Sequence, residues 1–175
     1  MWIRILETRF STKLDAVKWK FCAYLMKENI HIVQQLKIDE KTRDLVINTI
    51  KKVLKFHEGI IAGGAVDKVV AEALSREARS VPWEFVMDKD SSDYSAASEA
   101  CSSAAFTVSF YPDNSDVSCA AEDASTAAAW AAVFVPARKS AYSSDWEIPW
   151  HAAREEAHKK YAKKLMSLLK RSKDS

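Results

Sequence analysis

The chain has 175 residues, the size of one domain or of a domain with an appendage, and its 48% hydrophobic and 29% charged residues are ordinary proportions for a soluble globular protein. Three glycines and four prolines in the whole chain argue against a sheet protein with many tight hairpins and for long helices joined by few loops. The formal net charge of +2 hides a segregation, because residues 1–82 carry 15 basic against 10 acidic side chains, residues 83–135 carry 1 against 9, and residues 136–175 carry 10 against 5. Such a field can steer a basic partner toward the middle of the chain, unless the acidic and basic segments neutralise one another within the monomer.

In chain order, Leu14, Val17, Phe21, Tyr24 and Leu25 recur at helical spacing and predict a helix from Thr12 to about Lys27 with Ser11 as a plausible cap. The following run at Ile30, Ile32 and Val33 is β-like in composition but has no partner strand nearby, so it reads as helix or connector. Asp39 is placed to cap a helix through about Phe56 that buries Val46, Ile50, Val53 and Leu54 and turns Lys51, Lys52 and Lys55 outward. All three glycines, Gly59, Gly63 and Gly64, then fall within six residues. No strand precedes them and no Lys-Ser or Lys-Thr follows, so they read as a helix terminator rather than a phosphate loop. A further helix is expected over about Ala65 to Arg79, burying Val66, Val69, Val70, Ala73 and Leu74, with Pro82 ending it.

From Ser91 the chain writes Ser-Asp three times, each time with an alanine pair and a glutamate close behind: SSDYSAASEA, NSDVSCAAEDASTAAAWAA and SSDWEIPWHAAREEA. Serine and aspartate before an alanine run are helix-start signals, since the side-chain oxygen accepts from an unpaired amide and the negative charge suits the helix N-terminus. Three helices are therefore predicted, over about Asp93–Phe110, Asp116–Val135 and Glu147–Arg171. The first two present alanine faces that let backbones approach closely. The last carries Trp150, Ala153, Ala157, Tyr161, Leu165 and Leu168 on one face, with lysines crowding its second half. The expectation is an all-α, single-domain bundle of six or seven helices with alanine-rich, close-packed central helices: residues 1–38 form an N-terminal helical extension and 39–171 the bundle core.

Candidate chemistry is sparse. Glu28 with His31 and Glu155 with His158 form two E-x-x-H pairs, a spacing that places carboxylate and imidazole one turn apart and that paired-metal bundles use. The other glutamates do not complete such a set, so a metal-dependent helical enzyme is the alternative reading and no cofactor is expected. His57 sits on the apolar stripe of its helix and reads as a core histidine. Cys22, Cys101 and Cys119 are odd in number with no C-x-x-C pair, as buried free thiols in a reducing compartment would be. The lysines after His158 offer a basic stripe for nucleic acid, but they fall on the solvent side of an amphipathic helix, so direct nucleic-acid contact is disfavoured. The N-terminus lacks the apolar core of a signal peptide and no uncharged run is long enough to span a bilayer, so a cytoplasmic, non-membrane protein is expected.

The run KTRDLVINTIKKVLKFHEGIIAGGAVDKVVAEALSREA, the alanine-rich helices with Trp130, and the closing WHAAREEAHKKYAKKLMSLL together resemble the alanine-rich, all-helical immunity proteins of bacteria and their phages, over about residues 39–169. The resemblance implies a non-enzymatic protein that binds and neutralises another protein, such as a toxin or defence factor, and it supplies no catalytic motif. On this reading Asp93, Glu99, Asp113, Asp116, Glu122 and Asp123 form an acidic surface facing a basic target, with Tyr94, Tyr111 and Trp130 as anchors. Homo-oligomerisation stays open.

Overall fold

In the computed structural model, residues 2–85, 92–108, 114–134 and 147–172 are described, with side-chain surroundings for 17–82, 93–108, 119–129 and 149–172. They form six helices and no strand: α1 Trp2–Gln35, α2 Glu40–Ile61, α3 Lys68–Phe85, α4 Ser92–Val108, α5 Asn114–Phe134 and α6 Glu147–Arg171. The helices pack as one bundle in which α4 and α5 are most intimately paired and α1 lies against α2, α4, α5 and α6.

The first helix is one rod of 34 residues, ~50 Å long. The β-like run is simply its continuation, because Ile32 and Val33 fall on the same stripe as Val17, Phe21, Leu25 and Met26, all buried, and Leu36 closes the stripe just past its end. Residues 17–36 thus belong to the core rather than to an extension beside it.

Asp39 caps α2 as its sequence position predicts, accepting from Thr42 N at 2.9 Å. The Arg43 guanidinium ties the preceding turn by donating to the carbonyls of Leu36 and Ile38, each at 2.9 Å. At the other end Gly63 takes a left-handed φ of 95°. Gly64 has its own reason to lack a side chain, since a Cβ there would stand 2.8 Å from the Gly59 carbonyl oxygen. The amides of both glycines close back onto the last turn, on Ile60 O and Gly59 O, which is the terminator geometry expected of them.

The expected face of α3 is corrected. Val69 and Val70 are 74% and 43% exposed and Ala73 is also exposed, whereas Ala71, Ser75, Ala78 and Val81 are buried and Leu74 is partly so. Asp67 sets the start of the helix by accepting from Val69 N and Val70 N, and α4, the neighbour, presents alanines. Small residues on both sides allow a close approach that valines would hold apart, so the smaller stripe is the one that turns inward. Ser75 Oγ reaches Ala105 O at 3.3 Å across this contact. Pro82 does not end the helix, which continues to Phe85. So near the C-terminus a proline removes a single amide bond and leaves only a short last turn to bear it.

Between α4 and α5 the alanine faces meet as expected: Ala96, Ala97, Ala100, Ala104 and Ala105 of one helix and Ala120, Ala121, Ala124 and Ala127 of the other are at most 1% exposed. Ser103 Oγ donates to Ala120 O at 2.8 Å within this seam, satisfying a hydroxyl where no water reaches. The last helix buries Ala157, Tyr161, Leu165 and Leu169, with Tyr161 edge-on to Tyr24 of α1 at 6.1 Å between ring centroids.

His57 is wholly buried between α2 and α4, its Nε2 3.0 Å from Thr107 Oγ1. The Thr107 hydroxyl already donates to Ala104 O at 2.8 Å, so His57 Nε2 carries the proton and Thr107 accepts. Burial pushes the imidazole down to about 3, which keeps it neutral and structural at any ordinary pH.

Candidate functional site

Helix α6 has two different flanks. One faces α5 through a polar cluster, with Glu99 of α4 behind it, and the other opens to solvent as a cleft beside Ala157.

In the cluster, Arg154 donates to Glu122 Oε1 of α5 and lies over the Trp150 ring, 5.3 Å from its centroid. One turn on, His158 Nε2 stands 3.4 Å from Glu122 Oε2 and its Nδ1 3.2 Å from Ser125 Oγ. The nearness of Glu122 favours an imidazolium, yet burial and the charge of Arg154 prevail and lower the His158 pKa. With Arg154 already neutralising Glu122, the ring stays neutral at pH 7, and its Nδ1 donates to Ser125 Oγ, whose own proton goes to Ala121 O. Behind this layer, Glu99 of α4 and Asp123 of α5 sit half-buried. Burial first, and then the charge of Asp123, pushes the Glu99 carboxyl up to about 7, against the pull of Arg154. Burial also raises Asp123, opposed by a hydrogen bond from Ser102.

Ser125, His158 and Glu122 thus stand in the order hydroxyl, imidazole, carboxylate, the order of a hydrolytic triad. The resemblance stops at the serine. Ser125 is fully buried and donates to Ala121 O at 2.7 Å, the ordinary back-bond of a helical serine, so no substrate carbonyl can reach its Oγ. The thiols are likewise withdrawn from chemistry, since burial pushes Cys22 and Cys101 up to about 12. Cys119 is partly exposed.

The cleft lies on the other flank. Ala128 of α5 with Ala152, Ala153 and Ala157 of α6 forms its floor; Glu156, Lys159, Lys160 and Lys163 form its rim, and together they enclose ≈ 770 Å³ of open space. Lys160 bridges to Glu28 of α1. Lys159 pairs with Glu155 one turn back at 2.7 Å. Among the described residues Lys163 meets no carboxylate within salt-bridge distance.

The acidic surface expected on the central helices is corrected for the residues whose side chains are described. Asp93 and Tyr94 are only 3% and 8% exposed, and Tyr94 spends its hydroxyl on Asp39 Oδ2 at 2.8 Å, stapling α4 to the cap of α2. Glu99 and Asp123 are half-buried, Glu99 within the field of Arg154. Glu122 is exposed but held by Arg154 and His158. The reason is packing: alanine seams bring α5 close to α4 on one side and to α6 on the other, and carboxylates beside these contacts are drawn into them. Asp116 and Trp130 lie in α5 with side chains outside the described residues, and Tyr111 and Asp113 lie outside them altogether.

The four residues of the paired-metal alternative are not brought together. Glu28 goes to Lys160, His31 to Gln35 at 2.8 Å, Glu155 to Lys159, and His158 to Ser125 and Glu122. Among the described residues no group of three or more His, Cys, Asp or Glu is placed to hold a metal ion, and no helix is long and apolar enough to cross a membrane.

Reading the chain alone missed Arg154, Ser125 and Ser102. The signal was present in Arg154 and His158, one turn apart on α6, matched by adjacent acids Glu122 and Asp123 on α5. No family model matches the chain, and neither the curated proteins nor the solved structures include a significantly similar one.

Proposed function

We propose that the chain is a non-enzymatic, cytoplasmic protein-binding module of the inhibitor or immunity type, neutralising a toxin or defence factor by covering part of its surface. The observation that carries this reading is the contrast between the two flanks of α6. Among the described residues Ser125, His158, Glu122, Cys22 and Cys101 are buried or committed to one another, while the open concavity is floored with alanine and rimmed with lysine, a surface that offers contact and charge. The sequence resemblance to helical immunity proteins supports the same class. The acids of the central helices serve this function indirectly, since Glu122 holds Arg154 and so fixes α6 in place.

A photo-crosslinking side chain installed at Ala152, in the cleft, and separately at Asn48, on the exposed side of α2, tests the reading in the native host. A single dominant protein adduct from Ala152, with none from Asn48, is expected. The same faint spread of adducts from both positions would contradict it.

A further inference from the structure

The lysines of the cleft rim and the alanines of its floor follow helical periods along α6. Ala152 to Lys163 spans ~17 Å of helix axis, about three turns, with Glu156, the adjacent Lys159 and Lys160, and Lys163 following one another a turn apart. A neighbouring helix laid along such a track meets one rim charge per turn. Its backbone can come close because nothing on the floor is larger than a methyl group.

Resting on the protein-binding reading above, we infer that the α5–α6 cleft receives an acidic amphipathic helix of the partner protein, its small apolar stripe on the alanine floor and its carboxylates against the lysine rim. Charge complementarity selects this occupant. Lys163 meets no carboxylate among the described residues, so it is the rim cation with the most to gain from an incoming one; Lys159 and Lys160 already hold Glu155 and Glu28. A nucleic acid or an anionic lipid surface fits less well. Glu156 ends the lysine row at its N-terminal side, two of the three lysines are already paired, and a phosphate track would leave the alanine floor without an apolar counterpart. The cleft is open along its length, so a small molecule would keep much of its own surface in water.

The probe is a helix-forming peptide of about 20 residues, ~30 Å long, with an alanine and leucine stripe flanked by glutamates, labelled for fluorescence anisotropy and titrated with the full chain. Its scrambled form and a form with lysine for every glutamate serve as controls. Saturable binding of the acidic helix alone is expected, weakening at high salt, and weakening about tenfold in both Lys163→Glu and Ala152→Trp. Both positions are exposed, and unchanged circular dichroism of the two variants will show that they fold. Equal binding of the control peptides, binding indifferent to both variants, or no binding of the acidic helix would overturn the inference. So would preferential, variant-sensitive binding of an anionic vesicle or a single-stranded RNA. Crosslinking from Ala152 to a host protein without binding of the acidic helix removes this occupant and leaves the protein-binding reading standing. Loss of both results removes both.

Discussion

Replacing Glu99 with glutamine keeps the shape of the side chain and removes its ability to ionise, which isolates the energetic consequence of placing an acid beside Asp123. The Glu99 carboxyl is raised from 4.5 to about 7, by burial foremost and by Asp123 next. A raised acid is protonated preferentially in the folded state, so its contribution is fully present below pH 4.5 and is lost as pH rises through about 7. At 1.36 kcal/mol per pH unit, that interval bounds the loss at ~3 kcal/mol, and because Glu99 is only half-buried, screening by solvent reduces the expected figure to ~1–2 kcal/mol. Urea unfolding of wild type and Glu99→Gln across the acid-to-alkaline range reads this directly, since the difference between the two curves cancels the titrating groups that do not interact with Glu99 and leaves Glu99 together with its coupling to Asp123. The curves should coincide below pH 4.5, diverge between there and about 7 and stay apart above it, with the variant then the more stable by ~1–2 kcal/mol and its thermal midpoint a few degrees higher. Parallel curves, or a variant less stable at alkaline pH, would show that Glu99 is solvated or satisfied and that the cluster is drawn wrongly.

Three further outcomes follow from the packing. Ala104→Leu inserts three carbons into a seam where Ala104 has no exposed surface, and should lower the unfolding free energy by ~1–3 kcal/mol in the same titration. Asp39→Ala removes the cap of α2 and the acceptor of the Tyr94 hydroxyl together, and should cost ~1–2 kcal/mol, with faster amide exchange in the first turn of α2 as the local sign. Asn29 is fully buried on the stripe of α1, with one long bond to Ala100 O at 3.5 Å and no partner for Oδ1. Asn29→Leu should therefore be neutral or stabilising by up to ~1 kcal/mol, and a large loss of stability would show that the amide is better satisfied than this geometry allows.

What could be read in the chain was what depends on one helix at a time. Asp39 announces the start of α2 and the glycines announce its end, because caps and terminators act through their own backbone neighbours. The alanine faces of α4 and α5 were equally legible, since both helices repeat small residues with the helical period. The face of α3 was not, because Val69 and Val70 outrank Ala71 and Ala78 in hydrophobicity, and only the alanine surface of α4 decides that the smaller stripe packs better. The polar cluster failed for the same reason. Glu122 and Glu99 look like surface acids until Arg154, on a helix more than thirty positions beyond Glu122, pairs with the first and acts on the second. Charge segregation along the chain was real in composition, and at this contact it joins an acidic middle to a basic end within one molecule. The cleft is an emergent feature, formed by Ala128 and residues of α6 that are distant in sequence.

Amide hydrogen exchange of the full chain, free and with its captured protein partner, bears most directly on the docking surface. Slowed exchange confined to α6 between 152 and 163 and to α5 around 128 is the expected result, with α2 and α3 unchanged. Slowing instead around Ile61, Val69 and Val70, the exposed apolar residues at the α2–α3 end, would place the partner on a different face and contradict the assignment of the cleft.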